Sequence, residues 1–182
     1  MTVKQQWILV LGVVTVLVAG GMTASRYLQE EPAIRAGSDA PGFLAKTLDE
    51  TPVTKSLTDY RGEVILLNIW ATWCIPCRTE MPSMQALHQA LGPAGLKIVA
   101  VSVDQPGMEQ EIREFVRDFK LTFETLYDET GAIQSIYRSA GVPETFLISR
   151  SGEIRKKMLG PDDWNSEPNR TLIRQLLAEP KP

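Results

Sequence analysis

The chain has 182 residues, 43% of them hydrophobic, which is enough for one globular domain with a buried core. Its formal net charge of −3, from 19 basic and 22 acidic residues, gives no reason to expect a nucleic acid partner. Two cysteines and a single histidine, His88, fall short of the four ligands that a structural zinc site requires, so no metal site is expected.

Residues 1–28 are predicted to anchor the chain in a membrane. The stretch from Trp7 to Met22 is apolar apart from one threonine and three glycines, and no charge falls between Lys4 and Arg26. A spanning helix needs about 20 apolar residues and at least about 17, whereas a signal peptide core has roughly 7–15. We therefore expect an uncleaved anchor, with a cleaved signal peptide as the alternative. Lys4 on the short N-terminal side predicts that this end stays inside and that the domain lies outside the cytoplasm.

A short polar linker is predicted over residues 29–38, where Gln29-Glu30-Glu31-Pro32 is followed by mostly small residues. The remaining residues, 39–182, are predicted to form the globular domain. No internal repeat or low-complexity tract is visible in the sequence.

The first strongly patterned elements of the domain are a strand followed by a helix. Residues 64–70 are almost continuously apolar and β-branched at several positions, which is typical of a strand buried on both faces. After Pro76, apolar residues recur every three to four positions, which predicts a helix with one buried stripe, formed by Met81, Met84, Leu87 and Leu91. The two cysteines, Cys74 and Cys77, therefore lie where the strand passes into the N-terminus of the helix.

This placement of the cysteines predicts a redox-active dithiol. Unpaired N–H groups and the positive end of the helix dipole favour an anion, so we expect the pKa of the Cys74 thiol to fall below its usual value of about 8.5. Cys74 is then the nucleophile, and Cys77 can attack the mixed disulfide that Cys74 forms with a partner. Pro76 suits the first helical turn, where its missing N–H has no partner. The alternative is an inert structural disulfide, but so small a loop constrains an unfolded chain little.

Strands and helices alternate through the rest of the domain. The predicted elements are a strand at 96–103, a helix around 112–119, a strand at 123–127, a short helix at 130–137, a hairpin of 144–148 with 153–159, and a helix around 172–177. Ser166 is the expected N-cap of the last helix, with Asn169 three residues on. This order predicts an α/β fold with a mixed sheet and helices on both faces.

Three separated motifs carry a resemblance to a known family: residues 70–82 around the cysteine pair, residues 40–43 with 57–62, and residues 143–148 with 151–154. In this order they resemble the thioredoxin-like family and, within it, the membrane-tethered TlpA/ResA/CcmG group of bacterial thiol-disulfide oxidoreductases. The resemblance implies a thioredoxin-like fold, with a central mixed β-sheet and an added N-terminal transmembrane helix. It also implies a redox-active Cys74–Cys77 disulfide and no further cofactor.

The resemblance implies substrate contacts at individual residues. Pro143 matches the cis-proline that faces the dithiol, and Val142 before it offers backbone groups to an extended substrate segment. Trp73, Ile75 and Pro76, beside the cysteines, are the other expected contacts with substrate. Without the resemblance, an ordinary proline at the start of a strand is the better interpretation of Pro143.

Glu80 is the expected proton acceptor of the site. Cytoplasmic thioredoxins carry a buried aspartate where this chain has Asn68, whose amide cannot act as a base. Glu80 shares a helix face with Cys77, and a glutamate at this place is typical of the group. Its carboxylate can accept the Cys77 proton and tends to raise thiol pKa values. Cys74, Cys77 and Glu80 are thus the expected catalytic residues, although the sequence alone leaves open a solvated helix glutamate at position 80.

The resemblance favours a reductase in a bacterial inner membrane, with a single-pass anchor and a catalytic domain facing the periplasm or cell exterior. It implies electrons from a membrane donor of the DsbD/CcdA type and, as substrates, disulfides in exported proteins such as apocytochromes c. An oxidase or isomerase stays open, because potentials of such dithiols range from about −270 to about −120 mV whatever their spacing. A thiol peroxidase is disfavoured, since those enzymes carry threonine or serine where Ala71 stands. The cysteine pair argues against the last alternative, a non-catalytic thiol-binding module.

Overall fold

The computed structural model describes residues 2–27 and 34–181. The chain divides into two compact units, Met1–Ala33 and Ile34–Pro182, and each is described by itself. Residues 29–33 of the predicted linker lie outside the described residues.

The first unit contains one long helix, α1 (Val3–Tyr27). Its stretch Lys4–Gly21 has a mean hydropathy of 1.4, and none of the described residues in this stretch is buried. Length and composition therefore allow this helix to cross a membrane, which makes it a candidate for the predicted anchor.

The second unit is built on a seven-stranded mixed sheet with the strand order β2-β1-β5-β4-β3-β6-β7. The central strands β3, β4 and β5 are parallel, and each of the remaining strands is antiparallel to its neighbour. The strands are β1 (Leu44–Thr47), β2 (Thr54–Ser56), β3 (Val64–Trp70), β4 (Leu96–Ser102), β5 (Glu124–Tyr127), β6 (Glu144–Ile148) and β7 (Ile154–Leu159).

Helices pack on both faces of this sheet, as the sequence predicted. They are α2 (Ile75–Leu91), α3 (Glu109–Asp118), α4 (Ala132–Ile136) and α5 (Glu167–Ala178). Apolar side chains of α2, α3 and α5 join one core cluster, whereas the opposite cluster takes Ile133 from α4 and Tyr60 from a short 3₁₀ helix, Leu57–Tyr60. The predicted α/β fold is therefore confirmed.

Strand β3 lies in the middle of the sheet and is buried at every position. Leu66 and Trp70 pack toward α2, while Leu67 and Ile69 pack into the opposite cluster. Two apolar faces explain the almost continuous apolar run in the sequence. Asn68, the polar exception, is fully buried and shares the α2 face with Leu66 and Trp70 because side chains alternate along a strand.

The last helix begins at the predicted N-cap residue but lacks the expected side-chain capping bond. Ser166 occupies the N-cap position of α5, but its side chain makes no capping hydrogen bond. Asn169 instead turns its side chain toward the preceding loop, donating from Nδ2 to the Asp163 carbonyl oxygen at 2.8 Å and to Asp162 Oδ2 at 3.1 Å. The Asn169 side chain therefore binds the preceding loop and does not cap the helix.

Candidate active site

The turn between β3 and α2 carries the cysteine pair and is held by Asp104. This carboxylate, 1% exposed, accepts hydrogen bonds from the Thr72 backbone N–H at 2.9 Å, Thr72 Oγ1 at 2.7 Å and Ser102 Oγ at 2.6 Å. Asp104 follows β4, the parallel neighbour of β3, and the carboxyl ends of parallel strands meet at one edge of a sheet. The hydrogen bonds to Asp104 therefore fix the position of the turn just before α2 begins.

Cys74 and Cys77 form a disulfide in the first turn of α2. Cys74 is the N-cap residue, and its Sγ accepts a hydrogen bond from the Cys77 backbone N–H at 3.1 Å. This N–H is one of the unpaired donors of a helix N-terminus, which stabilise a thiolate when the disulfide is reduced. Both cysteines are buried, but Trp73 and Ile75 around Cys74 are 66% and 76% exposed, and Pro76 is exposed as well.

Glu80 is buried one turn after Cys77 and is 2% exposed. Its Oε1 accepts a 2.8 Å hydrogen bond from Asn68 Nδ2. Its Oε2 accepts two longer bonds of 3.4 Å, from the Asp162 backbone N–H and from Trp164 Nε1. The interpretation of this residue as a solvated helix glutamate is therefore wrong.

Burial raises the pKa of Glu80 from an ordinary value of 4.5 to about 7. The hydrogen bonds from Asn68, the Asp162 N–H and Trp164 favour the ionised carboxylate and limit this rise, whereas the charge of Asp162 adds to it. A carboxyl group that titrates near neutrality can both take up and release a proton. Because Glu80 shares a helix face with Cys77, it is suited to exchange a proton with that thiol.

Asn68 joins Glu80 to strand β6. Its Nδ2 also donates to Thr145 Oγ1 at 2.8 Å, while Oδ1 has no partner among the described residues. An amide carries a donor at one end and an acceptor at the other, so Asn68 can pair with an ionised Glu80 through Nδ2 or with a protonated one through Oδ1. Asn68 can thus form a hydrogen bond with either protonation state of Glu80 without changing its own protonation.

The Val142–Pro143 peptide bond is cis and directly precedes β6. Strand β6 pairs with β3 so that Ile69 lies opposite Glu144, which places Pro143 near the end of β3 that leads to the cysteines. The Pro143 carbonyl oxygen accepts a 2.8 Å hydrogen bond from the Gly160 N–H. The substrate contacts predicted from the resemblance thus gather at one edge of the sheet, and their roles remain predictions.

Sequence reasoning missed several residues of this site. Asp104 showed no pattern that linked it to the cysteine turn, because the two meet only through the pairing of β3 with β4. Trp164 is fully buried although it lies in a polar loop, and a lone tryptophan after Pro161-Asp162-Asp163 was the available signal. Lys156 and Asn169 bind that loop, but Lys156 resembled an ordinary surface residue and Asn169 was noted only beside the expected N-cap.

A thioredoxin-like fold with a Cys-x-x-Cys disulfide at a helix N-terminus defines a thiol-disulfide oxidoreductase. The AhpC/TSA family model matches residues 36–157. The chain belongs to this family and, within it, to the ResA-like group that its motifs predicted.

Individual relatives agree with this class. Thiol-disulfide oxidoreductase ResA of Oceanobacillus iheyensis is 34% identical over 161 residues, which cover 86% of this chain and 83% of the relative. Sporulation thiol-disulfide oxidoreductase A of Bacillus subtilis is 30% identical over 168 residues, 88% of this chain and 94% of the relative. The crystal structure of a candidate thiol:disulfide interchange protein DsbE from Chlorobium tepidum has a TM-score of 0.71 at 27% identity, covering 80% of this chain and all of the other. The predicted enzyme class is confirmed.

Proposed function

We propose that this protein reduces disulfides in exported proteins, with apocytochromes c as the leading substrate class, and uses no cofactor besides the Cys74–Cys77 dithiol. The Cys74 thiolate attacks a substrate disulfide, forming a mixed disulfide and releasing one substrate thiolate. Cys77 then gives its proton to Glu80, and its thiolate attacks Cys74 Sγ. The second substrate thiolate leaves as the Cys74–Cys77 bond forms, so the substrate gains two electrons and the enzyme loses two.

The observation that carries this proposal is the buried carboxyl group of Glu80 behind the cysteine pair. Cys77 is fully buried, so bulk water has no direct access to its proton. Glu80, on the same helix face, has a pKa of about 7 and is therefore partly ionised at neutral pH. A structural disulfide needs no such group, whereas a resolving thiol does.

Substrate recognition is proposed at the exposed rim of the disulfide. Trp73, Ile75 and Pro76 present apolar surface directly beside Cys74, and large exposed apolar side chains are suited to contact another protein. Val142 and Pro143 lie at the same edge of the sheet, where the half-buried Val142 can offer its backbone to an extended chain. The substrate would then lie between this segment and the start of α2.

We further propose that residues 1–28 anchor the protein in the bacterial inner membrane and that residues 29–38 link this anchor to the catalytic domain, 39–182. The domain would face the periplasm or cell exterior. The apolar stretch Lys4–Gly21 and the position of Lys4 support this arrangement. A membrane-embedded dithiol donor of the DsbD/CcdA type is the proposed source of electrons, because each cycle leaves Cys74 and Cys77 oxidised.

Trapping of the mixed disulfide tests the proposed exchange. The Cys77→Ala full chain, expressed in a bacterium, should hold exported proteins covalently through Cys74, and these adducts should disappear when a reductant is added. Cys74→Ala is the matched control and should trap far less, because its remaining thiol, Cys77, is fully buried, whereas Cys74 lies beside the exposed Trp73 and Ile75. Failure of Cys77→Ala to form any mixed disulfide would contradict the mechanism and support a thiol-binding module.

A further inference from the structure

The loop between β7 and α5 closes over the carboxyl group of Glu80. Its backbone donates one hydrogen bond to Oε2, from the Asp162 N–H, and its buried indole donates a second, from Trp164 Nε1. Trp164 N also donates to Ser83 Oγ at 3.1 Å, and Ser83 Oγ lies 2.8 Å from the Glu80 carbonyl oxygen. The loop is thus attached to α2 at the Glu80 carboxylate and at Ser83, three residues further along the helix.

Three side chains outside the proposed proton path hold this loop, and we call them the polar triangle: Lys156 on β7, Asp162 in the loop and Asn169 on α5. Lys156 Nζ lies 2.8 Å from Asp162 Oδ2 and 2.7 Å from Asn169 Oδ1. Asn169 Nδ2 closes the triangle with its 3.1 Å bond to Asp162 Oδ2. Lys156 also lies over the Trp164 ring, 4.8 Å from its centroid. The same ammonium group therefore fixes both parts of the loop that touch Glu80.

The two oxygens of Glu80 accept hydrogen bonds of unequal strength, and the weaker bonds come from the loop. Oε1 has one short bond of 2.8 Å from Asn68, whereas both bonds to Oε2 are 3.4 Å long and correspondingly weak. The carboxylate of Asp162 opposes a second negative charge at Glu80, and Lys156 compensates this charge. Small changes in the loop should therefore change how easily Glu80 ionises.

The charged and titratable groups around Glu80 are few among the described residues. Helix α2 contributes Cys77, the loop contributes Asp162, and Lys156 lies behind the loop on β7. Strands β3 and β6 contribute only the neutral side chains of Asn68 and Thr145, and α5 contributes the neutral Asn169. The polar triangle thus contains the charges that can act on Glu80 besides the reacting thiol.

We propose that Lys156, Asp162 and Asn169 are positioning residues that hold the β7–α5 loop against Glu80 and thereby set the proton affinity with which Glu80 serves Cys77. The inference rests on the proposed role of Glu80 as proton acceptor. In the step concerned, the Cys77 S–H bond breaks, its proton goes to a Glu80 oxygen, and the sulfur electron pair forms the bond to Cys74 as the substrate thiolate leaves.

The resolving step can be measured by itself in the reduced full chain, purified in detergent. Reaction with a symmetrical aromatic disulfide releases one coloured thiol when Cys74 attacks and a second when Cys77 resolves the mixed disulfide. The first rate scales with reagent concentration and the second does not, so absorbance in a stopped-flow instrument separates them. The second rate of the unmodified protein should rise with pH through an inflection near 7, the pKa of Glu80.

Variants of the triangle should move this inflection in opposite directions. Asp162→Asn removes the opposing charge and leaves Lys156 uncompensated, so the inflection should fall by on the order of one pH unit. Lys156→Met leaves Asp162 uncompensated, so the inflection should rise by a similar amount. Arg155→Met is the matched control, because Arg155 is the next residue on β7 and pairs with Glu179 at 3.1 Å, away from Glu80. Arg155→Met should leave the pH of the inflection unchanged. If the triangle had only a structural role, its two variants would not shift the inflection in opposite directions.

The outcomes separate failure of this inference from failure of the proposed function. If Glu80→Gln keeps the inflection, Glu80 is not the proton acceptor and both proposals fall. If Glu80→Gln abolishes it, yet Asp162→Asn and Lys156→Met behave like Arg155→Met, the role of Glu80 stands and the triangle is overturned. Circular dichroism checks that each variant is folded.

If either triangle variant does not fold, Trp164→Phe serves as the test. Loss of the indole N–H donor to Oε2 should raise the pH of the inflection. An unchanged inflection in Trp164→Phe would overturn the inference.

Discussion

At the scale of single residues, the proposed chemistry centres on Glu80, a carboxyl group that is kept out of water. Glu80 has one strong hydrogen bond and two long ones, which is too little to replace full hydration of a carboxylate. The cost of burial appears as a raised pKa. Asn68 beside it is neutral and so does not compete for the proton. In the proposed mechanism, Glu80 therefore takes the role for which cytoplasmic thioredoxins use a buried aspartate.

The raised pKa of Glu80 predicts how stability depends on pH in the oxidised protein, where no thiol titrates. Below pH 4.5 the group is protonated in both the folded and the unfolded chain. Between 4.5 and 7 the unfolded chain loses this proton while the folded chain retains it, so the free energy of unfolding falls as pH rises. The shift of 7 − 4.5 = 2.5 units corresponds to a loss of about 3 kcal/mol.

Glu80→Gln removes this dependence, because glutamine does not titrate. The free energy of unfolding of Glu80→Gln minus that of the unmodified protein should therefore increase by about 3 kcal/mol between pH 4.5 and 7 and stay level above that range. Urea denaturation at several pH values measures this difference. A difference that does not change with pH would show that Glu80 has an ordinary pKa.

At the scale of elements, the connection from β3 to α2 is the part of the fold that orders the cysteines. The connection is short, and its Thr72 donates hydrogen bonds to Asp104, which lies in the connection that follows β4. Parallel pairing of β3 with β4 brings the two connections together. The position of Cys74 is thus determined by the sheet as well as by its own helix.

Asp104→Ala should destabilise the protein by about 2 to 4 kcal/mol, because the Thr72 N–H and the hydroxyls of Thr72 and Ser102 lose their charged acceptor. Denaturant unfolding measures the loss. Asp118→Ala is the control, since Asp118 is exposed and, among the described residues, pairs with its neighbour Arg117, so its removal should cost no more than about 0.5 kcal/mol. Equal losses in the two variants would contradict the role of Asp104.

Elements defined by local pattern were predictable from the sequence, and contacts between distant segments were not. The apolar run of β3 and the stripe of α2 located the cysteine pair because both patterns lie within one stretch of chain. The burial of Glu80 depends on a loop more than 80 positions further on, as the separation of 82 residues to Asp162 shows. Lys156 lies on a strand edge with ordinary charge patterning, so nothing in its neighbourhood indicated a role.

At the scale of the whole molecule, the chain combines two units whose exposed surfaces differ in polarity. None of the described residues in the apolar stretch Lys4–Gly21 of α1 is buried, whereas the unit that begins at Ile34 has apolar cores on both faces of its sheet. Such a helix in water would expose a large apolar surface, and a membrane removes this cost. The proposed tether would also confine the dithiol to the neighbourhood of the proposed membrane-embedded electron donor.

Cell fractionation tests the anchor. The full-length chain should remain in the membrane fraction after alkaline carbonate extraction, and its intact mass should include residues 1–28. A tagged copy should show this mass and this location together. Recovery of a shortened chain in the soluble fraction would instead show that the N-terminal segment is a cleaved signal peptide.

The equilibrium reduction potential of the Cys74–Cys77 pair determines the direction in which electrons flow between this protein and its substrates. The full chain in detergent is equilibrated with thiol–disulfide buffers, and the reduced fraction is read from tryptophan fluorescence and checked by thiol labelling. A reductase of exported proteins should have a potential near or below about −250 mV, toward the thioredoxin end of the known range. A potential above about −180 mV would contradict the proposed reductase function and make disulfide formation or isomerisation the function of this dithiol.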